Sequence, residues 1–146
     1  MESRKAMTQY HKVKKFHKIY ECNIGDEAAF PSDAERDLRK KLLEEEFEEY
    51  ITAEADNNLV EVADALGDML YIIYGTAVSY GLPINDIFDE IHNSNLSKLD
   101  ENGLPIRRED GKIMKGPNYF KPDISSIINQ NRKEGDLWQP KLKHLF

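Results

Sequence analysis

The stretch 38–77 constrains the fold of this chain more than any other, because two apolar helical patterns follow each other there across a short polar break. In both patterns the apolar residues recur at the spacing of an α-helix, about 3.6 residues per turn. The break consists of Asp56, Asn57 and Asn58. We expect the two helices to pack as an antiparallel hairpin and the core of the chain to be all-α.

Carboxylates interrupt the apolar face of the first helix. On a projection of about 100° per residue, Glu46 lies at the centre of that face and Glu49 lies inside it. Glu45 lies on the edge of the face, whereas Glu44 and Glu48 point away from it. This run of acids, taken alone, favours an ordinary solvated seam that pairs with Lys or Arg.

The second helix, from about Leu59 to Tyr80, is apolar nearly all round and is therefore predicted to be buried on most sides. Its charges as far as residue 77 are Glu61, Asp64 and Asp68, which lie within an arc of about 60°. Stacked carboxylates repel one another, and burying one is costly unless it is paired or binds a metal. A cation is expected against this face, either a Lys or Arg from another helix or a metal ion.

Acids on two consecutive helices together favour a shared metal site over a solvated seam. Hard oxygen ligands suit Mg²⁺ or Mn²⁺, and the sequence has no Cys/His cluster of the kind that binds zinc. Residues 33–68 carry four Lys or Arg against thirteen Asp or Glu, and residues 93–122 carry six against four. An acidic centre with a basic flank is what a metal–phosphate site requires. Without the motif, uneven surface charge that serves no function would explain this distribution equally well.

The double motif Glu46-x-x-Glu49 and Glu61-x-x-Asp64 resembles the E-x-x-E…E-x-x-D pattern of the all-α nucleotide pyrophosphohydrolases, which include MazG-like and phosphoribosyl-ATP pyrophosphohydrolase-like enzymes. The resemblance covers about residues 36–124, including the strings RKKLLEEEFEEY and EVADALGDMLYIIYG. It implies a four-to-five-helix bundle of the all-α NTP pyrophosphatase type. It also implies hydrolysis of a nucleoside triphosphate between the α- and β-phosphates, with Mg²⁺ as the cofactor and Mn²⁺ as an alternative.

Two other functions stay open at this point. One is phosphoribosyl-ATP pyrophosphohydrolase activity, and the other is a non-catalytic metal- or nucleotide-binding interaction module. The resemblance implies roles for the acids. The metal ligands would be Glu46, Glu49, Glu61 and Asp64. The catalytic residues would be Glu45, Glu46 and Asp68. Because no G-x-x-x-x-G-K-[ST] loop is present, the phosphates must be held by metal and side chains.

Substrate-binding residues are predicted downstream of the acids. The string HNSNLSKL resembles the S-N-x-S-K helix end that lies near the nucleotide in MazG-like relatives, and GKIMKGPNYFKPDI resembles a segment found after the helical core in one subgroup. The lysines would meet phosphates and the tyrosine ring would stack. The candidates are Asn95, Lys98, Lys115, Tyr119 and Lys121. The alternative for Asn95 and Lys98 is an ordinary polar helix end. The alternative for the other three residues is a surface flap that only packs against the protein.

The remaining elements are assigned from local signals. A basic amphipathic helix is predicted over residues 3–20, and Ser32 with Glu35 forms a capping box at the start of the next helix. Gly81 ends the apolar helix, and a fourth helix runs from near residue 85 to 95–99. A small β-hairpin near residues 103–116 has its turn at Asp110-Gly111. Close to the end of the chain, Trp138, Leu142 and Phe146 are expected to dock on a neighbouring surface.

The chain is predicted to be a single domain, 1–146, with its core over about 33–99 and the hairpin and C-terminal extension over 100–146. No apolar run approaches a membrane span, no signal peptide is evident, and the one cysteine, Cys22, suits a reducing cytoplasm. The net charge of −7 argues against nucleic acid as a partner. The expected partners are a small nucleotide and, by the family resemblance, further copies in a homodimer or homotetramer.

Overall fold

A computed structural model describes residues 6–130, and this part of the chain is helical. Its helices are α1 (Gln9–Ile19), α2 (Asp33–Ala55), α3 (Leu59–Tyr80), α4 (Ile84–Leu96) and α5 (Ile124–Asn129). No β-strand forms between residues 6 and 130, so the predicted all-α class is confirmed. The chain divides into two compact units, Met1–Leu82 and Pro83–Phe146. The single-domain assignment stays a prediction.

The two central helices of the first unit begin where capping side chains satisfy their free backbone N–H groups. The Ser32 hydroxyl accepts from the Glu35 N–H at 3.2 Å, as the S-x-x-E pattern predicts, and the Asn58 side chain accepts from the Glu61 N–H at 3.2 Å. Asn57 adopts a left-handed conformation with φ of 50° in the short connection. Because α2 and α3 pack against each other across this connection, the predicted helical hairpin is confirmed.

The end of α3 is fixed by glycine. Gly81 has φ of 65°, and the next residue, Leu82, donates its N–H to the Ala77 carbonyl at 2.9 Å, which is the arrangement of a glycine-terminated helix. The loop between α1 and α2 packs here, since the Gly25 N–H donates to the Val78 carbonyl at 2.9 Å. A side chain on Gly81 would collide with that loop. The loop therefore ties α1 to the end of α3.

The buried core of the first unit combines small apolar side chains with a polar network that the sequence did not predict. Arg39 is 8% exposed, and its guanidinium donates to Thr76 Oγ1 at 3.2 Å and to the Ile72 carbonyl at 3.1 Å. Burial lowers the pKa of Arg39, and the Glu35 carboxylate acts in the opposite direction. His17 is also buried, with Nδ1 at 2.7 Å from the Asn23 carbonyl, so both groups are partnered.

The prediction that α3 is buried on most sides is wrong for the single chain. Leu59 is 80% exposed and Val60 is 76% exposed, and Leu66, Leu70 and Ile73 also face outward. The physical reason is that α3 packs on α1 and α2 along one side only. Much of its remaining apolar surface is left uncovered by the other helices of the first unit.

The predicted β-hairpin of the second unit is reduced to one antiparallel bridge, between Arg107 and Ile113. The turn lies where it was predicted, with Gly111 at φ of 86°, and the Arg108 N–H donates to the Lys112 carbonyl at 2.8 Å. The Met114 N–H donates to the Ile106 carbonyl at 2.7 Å, and pairing does not continue to residue 116, because the Gly116 backbone packs against Leu99 instead.

Two predictions concern residues that the structure does not describe. Trp138, Leu142 and Phe146 lie outside residues 6–130, as do the first residues of the predicted N-terminal helix. The helix itself begins at Gln9, where Thr8 accepts from the His11 N–H at 3.3 Å. Within the described range, no helix combines the length and the apolar character that crossing a bilayer requires.

Candidate functional site

Glu46 is the most constrained acid of the chain. It lies on the face of α2 that packs toward α3, where it is half-buried. Its Oε2 atom is fully buried and has no hydrogen-bond partner among residues 6–130. A buried carboxylate oxygen without a partner loses its hydration without compensation. Such an atom marks a place where a proton or a cation would be bound.

Three further acids surround Glu46. Burial is the largest cause that raises the pKa of Glu46, and the negative charges of Glu49, Asp68 and Asp64 raise it further. The Glu49 side chain, about one turn further along α2, also raises this pKa by accepting a hydrogen bond from the protonated Glu46 carboxyl group. Acids of both α2 and α3 thus lie near enough to Glu46 to raise its pKa.

No basic side chain of the described residues neutralises this cluster. The ion pairs of residues 6–130 join Asp33 to Arg36, Asp37 to Lys40 and Asp110 to Arg108. None of them includes Glu46, Glu49, Glu61, Asp64 or Asp68. A salt-bridged seam, the first alternative of the sequence analysis, is therefore not formed in this part of the chain.

A groove of about 640 Å³ adjoins the cluster at the connection between α2 and α3. It brings Glu61 of α3 together with Glu45 and Glu49 of α2. Its lining residues are Glu45, Glu48, Glu49, Thr52, Ala53, Asp56, Asn58 and Glu61. Glu48, which was predicted to point away from the apolar face, is exposed and also borders this open groove.

The donor atoms suit a hard divalent cation in type and charge, since they are carboxylate oxygens with no cationic neighbour. The unpartnered Oε2 of Glu46 supports the same fit. No three of the acids in residues 6–130 converge closely enough to form a ready ligand set. Glu49, Glu61 and Asp64 are exposed and Asp68 is half-buried, so the arrangement is open and its outer members are on the surface.

The predicted substrate-binding residues all lie in the second unit. Lys98 is half-buried one turn after Asn95, just past the end of α4, and its N–H donates to the Asn95 carbonyl at 3.2 Å. The Lys115 ammonium group lies 4.7 Å from the centroid of the Tyr119 ring, and Lys121 is exposed. The structure thus brings Lys115 and Tyr119 together. The roles of all five residues stay predictions.

The first unit also contains a pocket of about 440 Å³ that the sequence analysis missed. It is lined by Phe16 and Tyr71, whose rings meet edge to face at 5.5 Å, and by Arg39. The one sequence signal for a buried Arg39 is the glycine at position 75, within the apolar helix. A Cβ there would lie 2.5 Å from Arg39 Nη2, so the glycine leaves room for the guanidinium group. In the sequence, Arg39 resembles the surface lysines beside it.

Two further lining residues of this pocket relate it to the acids. Leu42 precedes Glu46 by about one turn on α2, and Ile72 follows Asp68 by about one turn on α3. The pocket therefore continues the acid cluster along the same two helices, toward α1.

Comparison with known proteins gives a family match. The family model described as phosphoribosyl-ATP pyrophosphohydrolase matches residues 13–95, which is more than half of the 146-residue chain. Those residues run from within α1 to the last turns of α4 and include every predicted acid.

Two individual proteins are similar to this chain. The uncharacterized protein L479 of Acanthamoeba polyphaga mimivirus is 35% identical over 68 residues, which are 47% of this chain and 25% of that protein. The match thus spans only about a quarter of the length of that relative. A solved structure from Exiguobacterium sp. 255-15, with a provisional assignment as an NTP pyrophosphohydrolase, is 26% identical. It covers 80% of this chain and 90% of its own, with a TM-score of 0.44.

Proposed function

This chain belongs to the phosphoribosyl-ATP pyrophosphohydrolase family, and from that premise we propose that it is a metal-dependent nucleoside triphosphate pyrophosphohydrolase. The proposed reaction cleaves the bond between the α- and β-phosphates and yields a nucleoside monophosphate and pyrophosphate. The observation that carries the proposal is the environment of Glu46. Its buried Oε2 lacks a partner, acids of both helices surround it, and no Lys or Arg of the described residues pairs with them.

The acids would hold Mg²⁺, or Mn²⁺ in its place, through Glu46, Glu49, Glu61 and Asp64. A bound divalent ion supplies charge neutralisation at the phosphate oxygens. Each carboxylate must be ionised to act as a ligand. The raised pKa of Glu46 therefore means that a proton and a cation compete for the same oxygen.

A carboxylate must also accept the proton of the attacking water. The water oxygen forms a bond to the phosphorus while the bond from that phosphorus to the bridging oxygen breaks, and pyrophosphate leaves. A carboxylate whose pKa is raised toward the working pH is a better proton acceptor than an ordinary one. Asp68 and Glu45 are the neighbouring candidates for this task, and Glu46 would take it only when it does not hold the metal, since a bound cation lowers the pKa that burial raises.

The phosphates would be held by lysines. Within residues 6–130, neither Lys98, Lys115 nor Lys121 forms an ion pair with a carboxylate, so their charges are available to an anion. Tyr119 would offer a ring face for stacking. If the phosphates of the nucleotide lie at the acids, the pocket lined by Phe16, Tyr71 and Arg39 would hold an aromatic or polar part of the same nucleotide.

Two related proposals complete the account. Phosphoribosyl-ATP is an alternative substrate, which membership of the phosphoribosyl-ATP pyrophosphohydrolase family favours. A homodimer or homotetramer is proposed because apolar side chains of α3, Leu59 and Val60 above all, are exposed in the single chain. The alternative function is a non-catalytic interaction module, which would bind a metal or a nucleotide without hydrolysing it.

A pyrophosphate-release screen tests the proposed function. Canonical and modified nucleoside triphosphates and phosphoribosyl-ATP are each incubated with the protein and Mg²⁺ or Mn²⁺, with a chelator control. We expect metal-dependent release of pyrophosphate and the matching monophosphate from at least one nucleotide. Binding without release from any of them would support the non-catalytic module and contradict the proposal.

A further inference from the structure

Residues 116–123 of the second unit are fastened to the C-terminal end of α4, and we refer to them as the strap. The Ser94 hydroxyl, buried at 3% exposure, donates to the Phe120 carbonyl at 2.8 Å. The Ser97 hydroxyl accepts from the Phe120 N–H at 3.1 Å and donates to the Ser94 carbonyl at 2.6 Å. Both backbone groups of Phe120 are therefore bonded to serines that lie one turn apart.

Both ends of the strap are also attached. The Asp123 N–H donates to Glu90 Oε1 at 3.0 Å, nearly two turns before the end of α4. At the other end, Gly116 lies so close to the Leu99 carbonyl that a Cβ would collide with it, and that Cβ would lie 2.9 Å from the Lys98 carbonyl. The strap thus runs back along α4, and its first residue requires glycine for the close approach.

This attachment brings the predicted phosphate-binding lysines together. Consecutive Cα atoms are about 3.8 Å apart, so the backbone of Lys115 lies next to the Lys98–Leu99 backbone that Gly116 touches. The Lys115 ammonium group lies 4.7 Å from the Tyr119 ring centroid. Such a cation–π contact orients a cation without neutralising it. Neither lysine is paired with a carboxylate in residues 6–130, and their backbones are adjacent, so the strap keeps two cations in the same part of the second unit.

We propose that Ser94 and Ser97 are positioning residues for phosphate binding, which act through the strap to hold Lys115 and Tyr119 beside Lys98. The inference rests on the proposed function, because phosphate is the group that these lysines are proposed to meet. Neither serine needs to touch the substrate. The hydroxyl groups are occupied by Phe120, and Ser94 is buried.

The first test compares Ser97→Ala with Ser97→Thr and with the control Asn102→Ala. Asn102 belongs to the same unit, is exposed and lies outside the strap. We expect Ser97→Ala to raise KM for the nucleotide about five- to tenfold, with kcat and Mn²⁺ affinity nearly unchanged, since the hydroxyl loses its hydrogen bonds to the Phe120 N–H and the Ser94 carbonyl. Ser97→Thr keeps the hydroxyl and should retain most of the affinity. Equal KM values for Ser97→Ala and the wild type would overturn the proposal.

A double-mutant cycle separates positioning from direct contact or from general damage to the fold. In the Lys115→Ala background, Ser97→Ala should have little further effect on KM, because the strap then has one cation fewer to position. Gly116→Ala disturbs the strap from its other end and should reproduce the KM effect of Ser97→Ala. Hydrogen exchange at the Phe120 amide should be faster in Ser97→Ala. Full additivity in the cycle, or unchanged Phe120 exchange, would contradict the proposal.

Inorganic pyrophosphate keeps this test independent of turnover. Calorimetry with Mg²⁺ present compares pyrophosphate affinity among the wild type, Ser97→Ala and Lys115→Ala. If no nucleotide is hydrolysed but both variants bind pyrophosphate more weakly, the proposed function fails and the positioning role stands. If the wild type binds no pyrophosphate, or Ser97→Ala binds it as tightly as the wild type does, the positioning role is overturned.

Discussion

The Glu46 carboxyl group is coupled to the Glu49 carboxyl group, about one turn further along α2, since burial raises the pKa of Glu46 and the charge of Glu49 and a hydrogen bond to it raise that pKa further. Two neighbouring carboxylates repel each other when both are ionised, and a proton or a cation relieves this repulsion. Because Asp64 and Asp68 approach from α3, the repulsion extends to both helices of the hairpin. The first unit therefore carries a region of uncompensated negative charge in its interface between α2 and α3.

The first prediction concerns turnover. Glu46→Gln should lower kcat on the order of 10²-fold or more, because a preorganised charge is lost at the centre of the site. Glu44→Gln is the matched control, since Glu44 is exposed on α2 and does not line the groove. Steady-state pyrophosphate release measures both variants. Loss of activity in Glu44→Gln with retention in Glu46→Gln would show that the helical phasing is wrong.

The second prediction concerns the stability of the metal-free protein as a function of pH. The pKa of Glu46 is raised in the folded chain, so between its ordinary value and the raised value the folded state holds more protons than the unfolded state. The free energy of unfolding should therefore fall as the pH rises through that window. Urea denaturation in the presence of a chelator, at a series of pH values, measures it. Glu46→Gln should flatten the dependence, and an unchanged slope would contradict the assignment.

The third prediction concerns the acid of α3 that lies closest to the core. Asp68→Asn removes one negative charge next to Glu46 and should raise the melting temperature of the metal-free protein by about 2–4 °C. The same change should reduce the stabilisation that Mg²⁺ gives the wild type. Asp64→Asn should behave similarly. Thermal melts with and without Mg²⁺ decide the point, and a destabilised metal-free variant would indicate a buried salt bridge instead.

The sequence predicted the elements that periodicity and capping determine. The helices α2 and α3, the cap at Ser32, the break at Asp56, Asn57 and Asn58, and the stop at Gly81 follow from local patterns. The inward position of Glu46 follows from the 3.6-residue period. These features depend on neighbours within a few residues, which is the information that one sequence contains.

Tertiary packing decided the features that the sequence did not predict. Arg39 stands in a run of basic residues, and only the approach of α1 and α3 shows that it is buried over Gly75. The strap depends on hydrogen bonds between Ser94 and Phe120, which are 26 residues apart. The exposure of α3 could not be predicted either, because apolar composition does not tell which neighbour covers a helix.

The fourth prediction tests the contact between Arg39 and Gly75. A Cβ at residue 75 would lie 2.5 Å from Arg39 Nη2 and 3.0 Å from His17 Nε2. Gly75→Ala should therefore destabilise the protein by about 1–3 kcal/mol through overpacking. In an Arg39→Ala background the added methyl group has room, so its cost should shrink. Urea denaturation of the two single variants and the double variant gives the coupling free energy, and strict additivity would show that the two residues do not meet.

The fifth prediction concerns two lysines of the second unit. Lys98→Ala and Lys115→Ala should weaken nucleotide binding while leaving the affinity for metal unchanged. Calorimetry with Ca²⁺ in place of Mg²⁺ measures nucleotide binding without turnover. Lys112→Ala is the control, because Lys112 is exposed beside the turn and has no proposed role. Unchanged affinity in both test variants would remove these lysines from the mechanism.

The most direct test of the account is the binding of Mn²⁺ to the free protein, followed by electron paramagnetic resonance at neutral pH. If the acids around Glu46 form a divalent metal site, the wild type and Glu44→Gln should bind Mn²⁺ with the same affinity. Glu46→Gln should bind it at least about tenfold more weakly, since loss of one charged ligand costs more than 1.4 kcal/mol. Equal Mn²⁺ affinity in the wild type and Glu46→Gln, or no binding by the wild type, would contradict the account.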